Sequence, residues 1–210
     1  MQGYFKQTLA GWAAVLCALV VAVPASGQSR VEQPGTLGLT MSGTYGLMTG
    51  NTLYGNRFDD GAGLTLGVRY VVASNWSVGL SFFSQTFSAV PDTTGVDKLR
   101  VTDVTLDLFF YRDRNADASQ YLMVGIGFYR PEMHFAGEEI TFPGENLLLE
   151  LGLGAEVFIK ENWGLELSGR AFGYVGDGLT PLDISQGVES EGSFSVGLQG
   201  QVGLIYYLLR

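Results

Sequence analysis

The chain has 210 residues, with 46% hydrophobic residues, only 16% charged residues and 30 glycines. That is enough chain for one domain of ordinary size, and the high apolarity with few charges argues against a soluble helical protein. A formal charge of −9, with no cluster of Lys or Arg along the sequence, excludes a nucleic-acid-binding surface, which needs a basic stripe.

The first segment reads as a targeting signal. Lys6 supplies a positive start, Thr8 to Val23 carries no charge, Pro24 ends the run, and Ala25-Ser26-Gly27 offers small residues for cleavage. Cleavage is expected after Gly27, giving a signal peptide over 1–27, with Ala25 as the other choice. An uncleaved anchor is the alternative, because the uncharged run from Gln7 to Ser29 approaches spanning length. Cys17, the only cysteine, lies in this run behind Leu16, which does not suit a lipoprotein signal. The mature chain is then expected to lack a thiol, a disulfide and a thiolate metal ligand.

A short segment, 28–35, leads into a two-residue alternation that continues to the end of the chain. It divides into eight predicted strands: Leu37 to Leu47, Leu64 to Val72, Trp76 to Phe87, Val101 to Tyr111, Tyr121 to Tyr129, Leu147 to Ile159, Trp163 to Tyr174 and Phe194 to Leu208. Each is long enough to cross a bilayer when tilted. The prolines of the mature chain (Pro34, Pro91, Pro131, Pro143 and Pro181) fall between these strands or at their ends, where no ladder donor is lost.

The links alternate in length. Ala73-Ser74-Asn75, Arg112 to Gln120 and Lys160-Glu161-Asn162 are short; Met48 to Gly63, Ser88 to Arg100, Arg130 to Asn146 and Val175 to Ser193 are long. Short turns on one rim and long loops on the other are expected of an outer-membrane barrel with both termini in the periplasm. Two short turns run into tryptophan, so Trp76 and Trp163 are candidates for an aromatic girdle at the membrane boundary. Gly67 to Ser81 also aligns without gaps on Gly154 to Ser168, placing Arg69 on Glu156. Duplication of a four-strand half and common turn chemistry both account for this repeat.

Alternation alone does not say which face meets lipid. One face of the predicted strands is rich in leucine throughout. The other carries Arg69, Asp103, Asp107, Glu150, Glu156, Glu166, Arg170, Gln199 and Gln201 among glycines and serines. A lumen of eight strands is barely wide enough for side chains, so the small and polar face belongs inside and the apolar face outside. The expected fold is all-β, an eight-stranded antiparallel up-and-down transmembrane barrel over 36–210.

The stretch Arg69-Tyr-Val-Val-Ala-Ser-Asn-Trp-Ser-Val-Gly-Leu-Ser resembles the strand–turn–strand signature of the bacterial outer-membrane β-barrel domain family, close in architecture to the OmpA and OmpX barrels. The resemblance runs from about Thr36 onward. It implies an integral protein of the Gram-negative outer membrane among lipids and lipopolysaccharide, inserted by the barrel-assembly machinery. The chain departs from the family in ending on Leu208-Leu209-Arg210 rather than on an aromatic residue.

No cofactor, metal cluster, phosphate loop or nucleophile elbow is legible. His134, the only histidine, is placed just beyond the fifth strand, with Phe135, Ala136 and Gly137 next to it in place of a serine. That makes a lipid A-modifying enzyme the less favoured reading. The seven inward charges must be paired, hydrogen-bonded or protonated; a polar plug fixing the barrel is preferred over an ion path. The long loops carry acidic residues in excess, though at no spacing that resembles a calcium loop. The expected role is structural or surface-interacting, with a narrow channel or carrier as the alternative.

Overall fold

The computed structural model describes residues 34–49, 58–90, 96–112, 118–135, 138–141, 146–160, 162–176 and 193–208. The segment read as a signal peptide lies outside these residues. Among the described residues there are nine strands: β1 (Leu37–Thr49), β2 (Phe58–Ala73), β3 (Trp76–Ala89), β4 (Val96–Tyr111), β5 (Ala118–Phe135), β6 (Glu138–Thr141), β7 (Leu147–Lys160), β8 (Trp163–Gly176) and β9 (Ser193–Leu208).

Eight of them close a barrel. Antiparallel neighbours run β1 to β2, β3, β4, β5, β7, β8 and β9, and β9 returns to β1 over Leu37↔Leu208 to Thr49↔Val196. β6 pairs with β5 alone, over Glu132↔Thr141 to Phe135↔Glu138. It is a hairpin arm on the barrel rather than a ninth stave. Closure leaves the eight staves no free edge, which is how a sheet satisfies its backbone groups in a bilayer.

The alternation read from the sequence maps directly onto the wall. Leu66, Leu80, Leu106, Ile126, Leu151, Leu165 and Val202 are exposed on the outside, whereas Thr65, Ser81, Thr105, Met123, Glu166 and Gln201 are buried inside. In a soluble barrel the leucines would be inside. Here they form a continuous apolar belt around the molecule, which is a lipid-facing surface.

At the short-turn rim, Ser74-Asn75 and the segment at Asn162 connect their strands. The two turns are held alike: Tyr111 N–H donates to the carbonyl of Asn75 at 2.7 Å, and Tyr207 N–H donates to that of Asn162 at 2.8 Å. Gly35, with φ 94°, turns the chain into β1 and donates to the Val71 carbonyl at 2.8 Å. Only glycine adopts that backbone without strain.

The structure corrects three expectations. First, several strands run past the predicted ends toward the long-loop rim: β2 begins at Phe58 rather than Leu64, and β5 ends at Phe135 rather than Tyr129. Strands can outlast the bilayer because the ladder continues wherever a neighbour pairs, whereas the apolar alternation stops at the membrane edge.

Second, Pro131 and His134 therefore lie inside β5. Tyr129 N–H points to the Asn146 carbonyl, and position 131 faces the same side. Among the described residues that side carries no ladder pair between Phe128↔Leu147 and Glu132↔Thr141. The proline removes no ladder bond.

Third, the lumen is not polar along its whole length. Met48, Phe58, Phe87, Leu99, Val101, Tyr129, Met133, Leu148, Phe172 and Tyr174 fill it toward the long-loop rim, and Val71, Ile205, Tyr207 and Phe158 toward the other. Charged groups lie between two apolar layers.

Candidate functional site

The strands bring all seven predicted inward charges into the lumen. Arg69 projects from β2 and is 3% exposed. Its Nη1 is paired with Glu156 Oε1 from β7, and its Nη2 donates to Glu166 Oε1 from β8 at 2.8 Å. The guanidinium also lies over the Phe109 ring, 3.9 Å from Cζ to the centroid. A planar cation stacked on an aromatic face keeps its donors free for carboxylates in its own plane.

Three tyrosines complete this centre. Tyr111 Oη accepts from Arg69 Nη1 at 3.0 Å and donates to Glu156 Oε1 at 2.6 Å. Tyr207 Oη donates to Glu156 Oε2 at 2.8 Å, and Tyr121 Oη donates to Glu166 Oε1. Sequence reasoning missed these tyrosines and Phe109. Their signal was parity: on β4, positions 103, 105, 107, 109 and 111 share the inward face. Trp76 stands opposite Phe110 and Trp163 opposite Tyr206, so Tyr111 and Tyr207 occupy equivalent rungs beside the two Asn-Trp turns.

A second centre lies nearer the long-loop rim. Arg170 Nη1 donates to Glu150 Oε2 at 3.1 Å. Ser81 and Thr105 hydroxyls donate to Asp107 Oδ2 at 2.7 Å and 3.3 Å. Asp103 is buried, and Oδ1 of Asp103 and Oδ1 of Asp107 have no hydrogen-bond partner. Between the centres, Thr65, Arg69, Glu166, Arg170 and Gln201 line a cavity of about 10 Å³, the size of one water.

The close packing has a local cause. A Cβ on Gly154 would lie 2.5 Å from the Tyr121 hydroxyl, and one on Gly79 would lie 2.8 Å from Phe109 Cε2. The glycines of this face make room for the rings that hold the charges.

Trp163 lies on the outer wall at the short-turn rim, tilted against Tyr206 with centroids 4.8 Å apart; Trp76 is half-buried at the same rim. His134 sits on the outward side of β5, opposite Lys98 on β4 and Glu139 on β6. Among the described residues no grouping of three His, Cys, Asp or Glu is placed to hold a metal.

A closed eight-stranded antiparallel barrel with an apolar exterior and charges in its lumen is an integral outer-membrane barrel. The chain belongs to the outer membrane protein beta-barrel domain family, whose profile matches residues 13–198. No curated protein sequence matches it. Solved structures share the architecture. The attachment invasion locus protein Ail of Yersinia pestis is 16% identical with a TM-score of 0.52, over 84% of this chain and all of that one. The Neisserial surface protein A is 9% identical with a TM-score of 0.59, over 82% and 98%. OprG of Pseudomonas aeruginosa is 12% identical with a TM-score of 0.52, over 85% and 98%. At these identities the likeness is one of fold.

Proposed function

We propose that this small outer-membrane barrel is a non-enzymatic structural or surface-interaction protein whose lumen is closed by a plug of paired charges. The observation carrying this reading is the Arg69 centre, where a stacked guanidinium, two carboxylates and three tyrosines are bonded to one another across the lumen. Eight strands leave little space to begin with, and apolar side chains fill the lumen on both sides of the charged layer. The long loops then supply the contacts with a surface partner. In this reading 1–27 is a signal peptide removed on export, the barrel-assembly machinery inserts the chain, and the termini and short turns face the periplasm. Trp76 and Trp163 anchor the periplasmic boundary.

Planar-bilayer recording of the full barrel tests the plug. Negligible conductance is expected, and a steady ion-selective current would replace the plug with a channel. A narrow path for protons is the second reading, favoured by the unpartnered oxygens of Asp103 and Asp107. Proton leak into vesicles holding a pH-sensitive dye tests it separately from conductance. For the enzyme reading, lipid A mass spectra from cells carrying the wild type and His134→Ala should be identical.

A further inference from the structure

The sequence contains no run of basic residues, yet the register gathers several on one outward patch. Toward the long-loop rim the apolar belt ends on the rung Phe82–Val104–Phe128. The next rungs on the same face are Ser84–Thr102–Arg130, Thr86–Arg100–Glu132 and Ser88–Lys98–His134. Two residues advance about 7 Å along a strand, or about 5 Å in height at a tilt of about 45°. Arg130, Arg100 and Lys98 therefore climb through the layer directly above the hydrocarbon edge.

All three are exposed, and Phe128 below them is 69% exposed. Glu132 lies within the patch but only loosely against Arg130, at 3.8 Å. Glu139 stands opposite His134 on β6, away from Lys98 and Arg100 on β4. Elsewhere at this rim the outward positions of the described residues are neutral or acidic, as with Asp60 beside Leu47, Leu147 on β7, Val175 on β8 and Phe194 on β9.

We propose that this face docks a phosphate-bearing lipid of the surrounding leaflet, with its acyl chains along Phe82, Val104 and Phe128 and its phosphates held by Arg130, Arg100 and Lys98. Charge complementarity identifies the occupant. The protein carries −9 overall, so three cations set immediately above lipid-facing aromatic and aliphatic side chains answer anionic headgroups. Arginine suits them through its paired donors, and the long stems allow each head to settle at phosphate depth. The inference rests on the membrane placement of the belt and not on whether the lumen conducts.

Native mass spectrometry of the full barrel in neutral detergent tests it, using diphosphoryl lipid A, dephosphorylated lipid A and inorganic phosphate as probes. The wild type should retain diphosphoryl lipid A over the dephosphorylated form. Each of Lys98→Gln, Arg100→Gln and Arg130→Gln should lower that preference by about fivefold, the effect of one charge near an anionic lipid surface. Arg100→Lys should keep most of it, which shows that charge rather than a folding defect is read. Arg112→Gln with Lys160→Gln, on the opposite rim, should leave it unchanged. Equal retention of both lipids, equal loss in the opposite-rim variant, or equally tight capture of inorganic phosphate would overturn the proposal.

Discussion

Arg69 and Glu156 occupy the same position in the two copies of the internal repeat, and in the folded barrel they are bonded to each other across the lumen. The turns beside them are closed by equivalent tyrosines, Tyr111 and Tyr207, and both hydroxyls donate to the same Glu156. A near-twofold arrangement of backbone thus carries an asymmetric centre, because one slot holds a cation and the other an anion. Two carboxylates there would have faced each other and Glu166 without the Arg69 cation.

This pairing should be expensive to break from one side. Arg69→Met leaves Glu156 and Glu166 without their cation, at an expected cost of about 3–5 kcal/mol, less wherever water reaches the lumen. Urea unfolding in vesicles measures it, and Arg69→Met with Glu156→Gln and Glu166→Gln should recover most of the loss. A single variant that unfolds at the wild-type midpoint would show that the pairing does not hold the barrel.

Glycine substitutions should separate lumen from wall. Gly154→Ala brings a methyl against Tyr121, the tyrosine bonded to Glu166, and should cost about 1–3 kcal/mol through overpacking. Gly169→Ala faces outward, and its nearest atom is 3.9 Å away. It should unfold at the wild-type midpoint or slightly above, and equal losses at the two sites would contradict the assigned faces.

Charges on the wall should matter by depth. Leu106→Arg and Leu151→Arg, both lipid-facing, are expected to cost about 2–4 kcal/mol near the midplane, and Phe128→Arg at the belt's edge only about 0–1 kcal/mol. Thr105→Arg is harmful for another reason. Thr105 is buried beside Gly127 in a filled lumen, so the longer side chain overpacks it. Folding yield into vesicles ranks the four variants.

Closure itself has a simple signature. With no free edge among the eight staves, unheated protein should stay folded in SDS and migrate apart from boiled protein. A Gly38→Trp variant, which places an indole against Tyr207 and Ile205 where a Cβ would already lie 2.9 Å from Tyr207 Cε1, should lose the folded band at a lower temperature than the wild type. Identical mobility of boiled and unboiled wild type would argue against a closed wall.

The sequence by itself determined the wall. A period of two, leucine on one parity, glycine and charge on the other and alternating link lengths are local properties, and together they define a membrane barrel of eight strands. They also identified Arg69, Glu156, Glu166 and Arg170 as inward, since parity alone assigns a face. What only the tertiary structure decided is which inward groups meet. Arg69 reaches Glu156 and Glu166 from strands far away in the chain, while Arg170 turns to Glu150. Across a lumen, partners depend on shear and on side-chain reach, and neither leaves a periodic trace. For the same reason the apolar layers, the β6 arm and the basic rungs over Phe128 were not legible: register sets each of them between strands, and no strand records it alone.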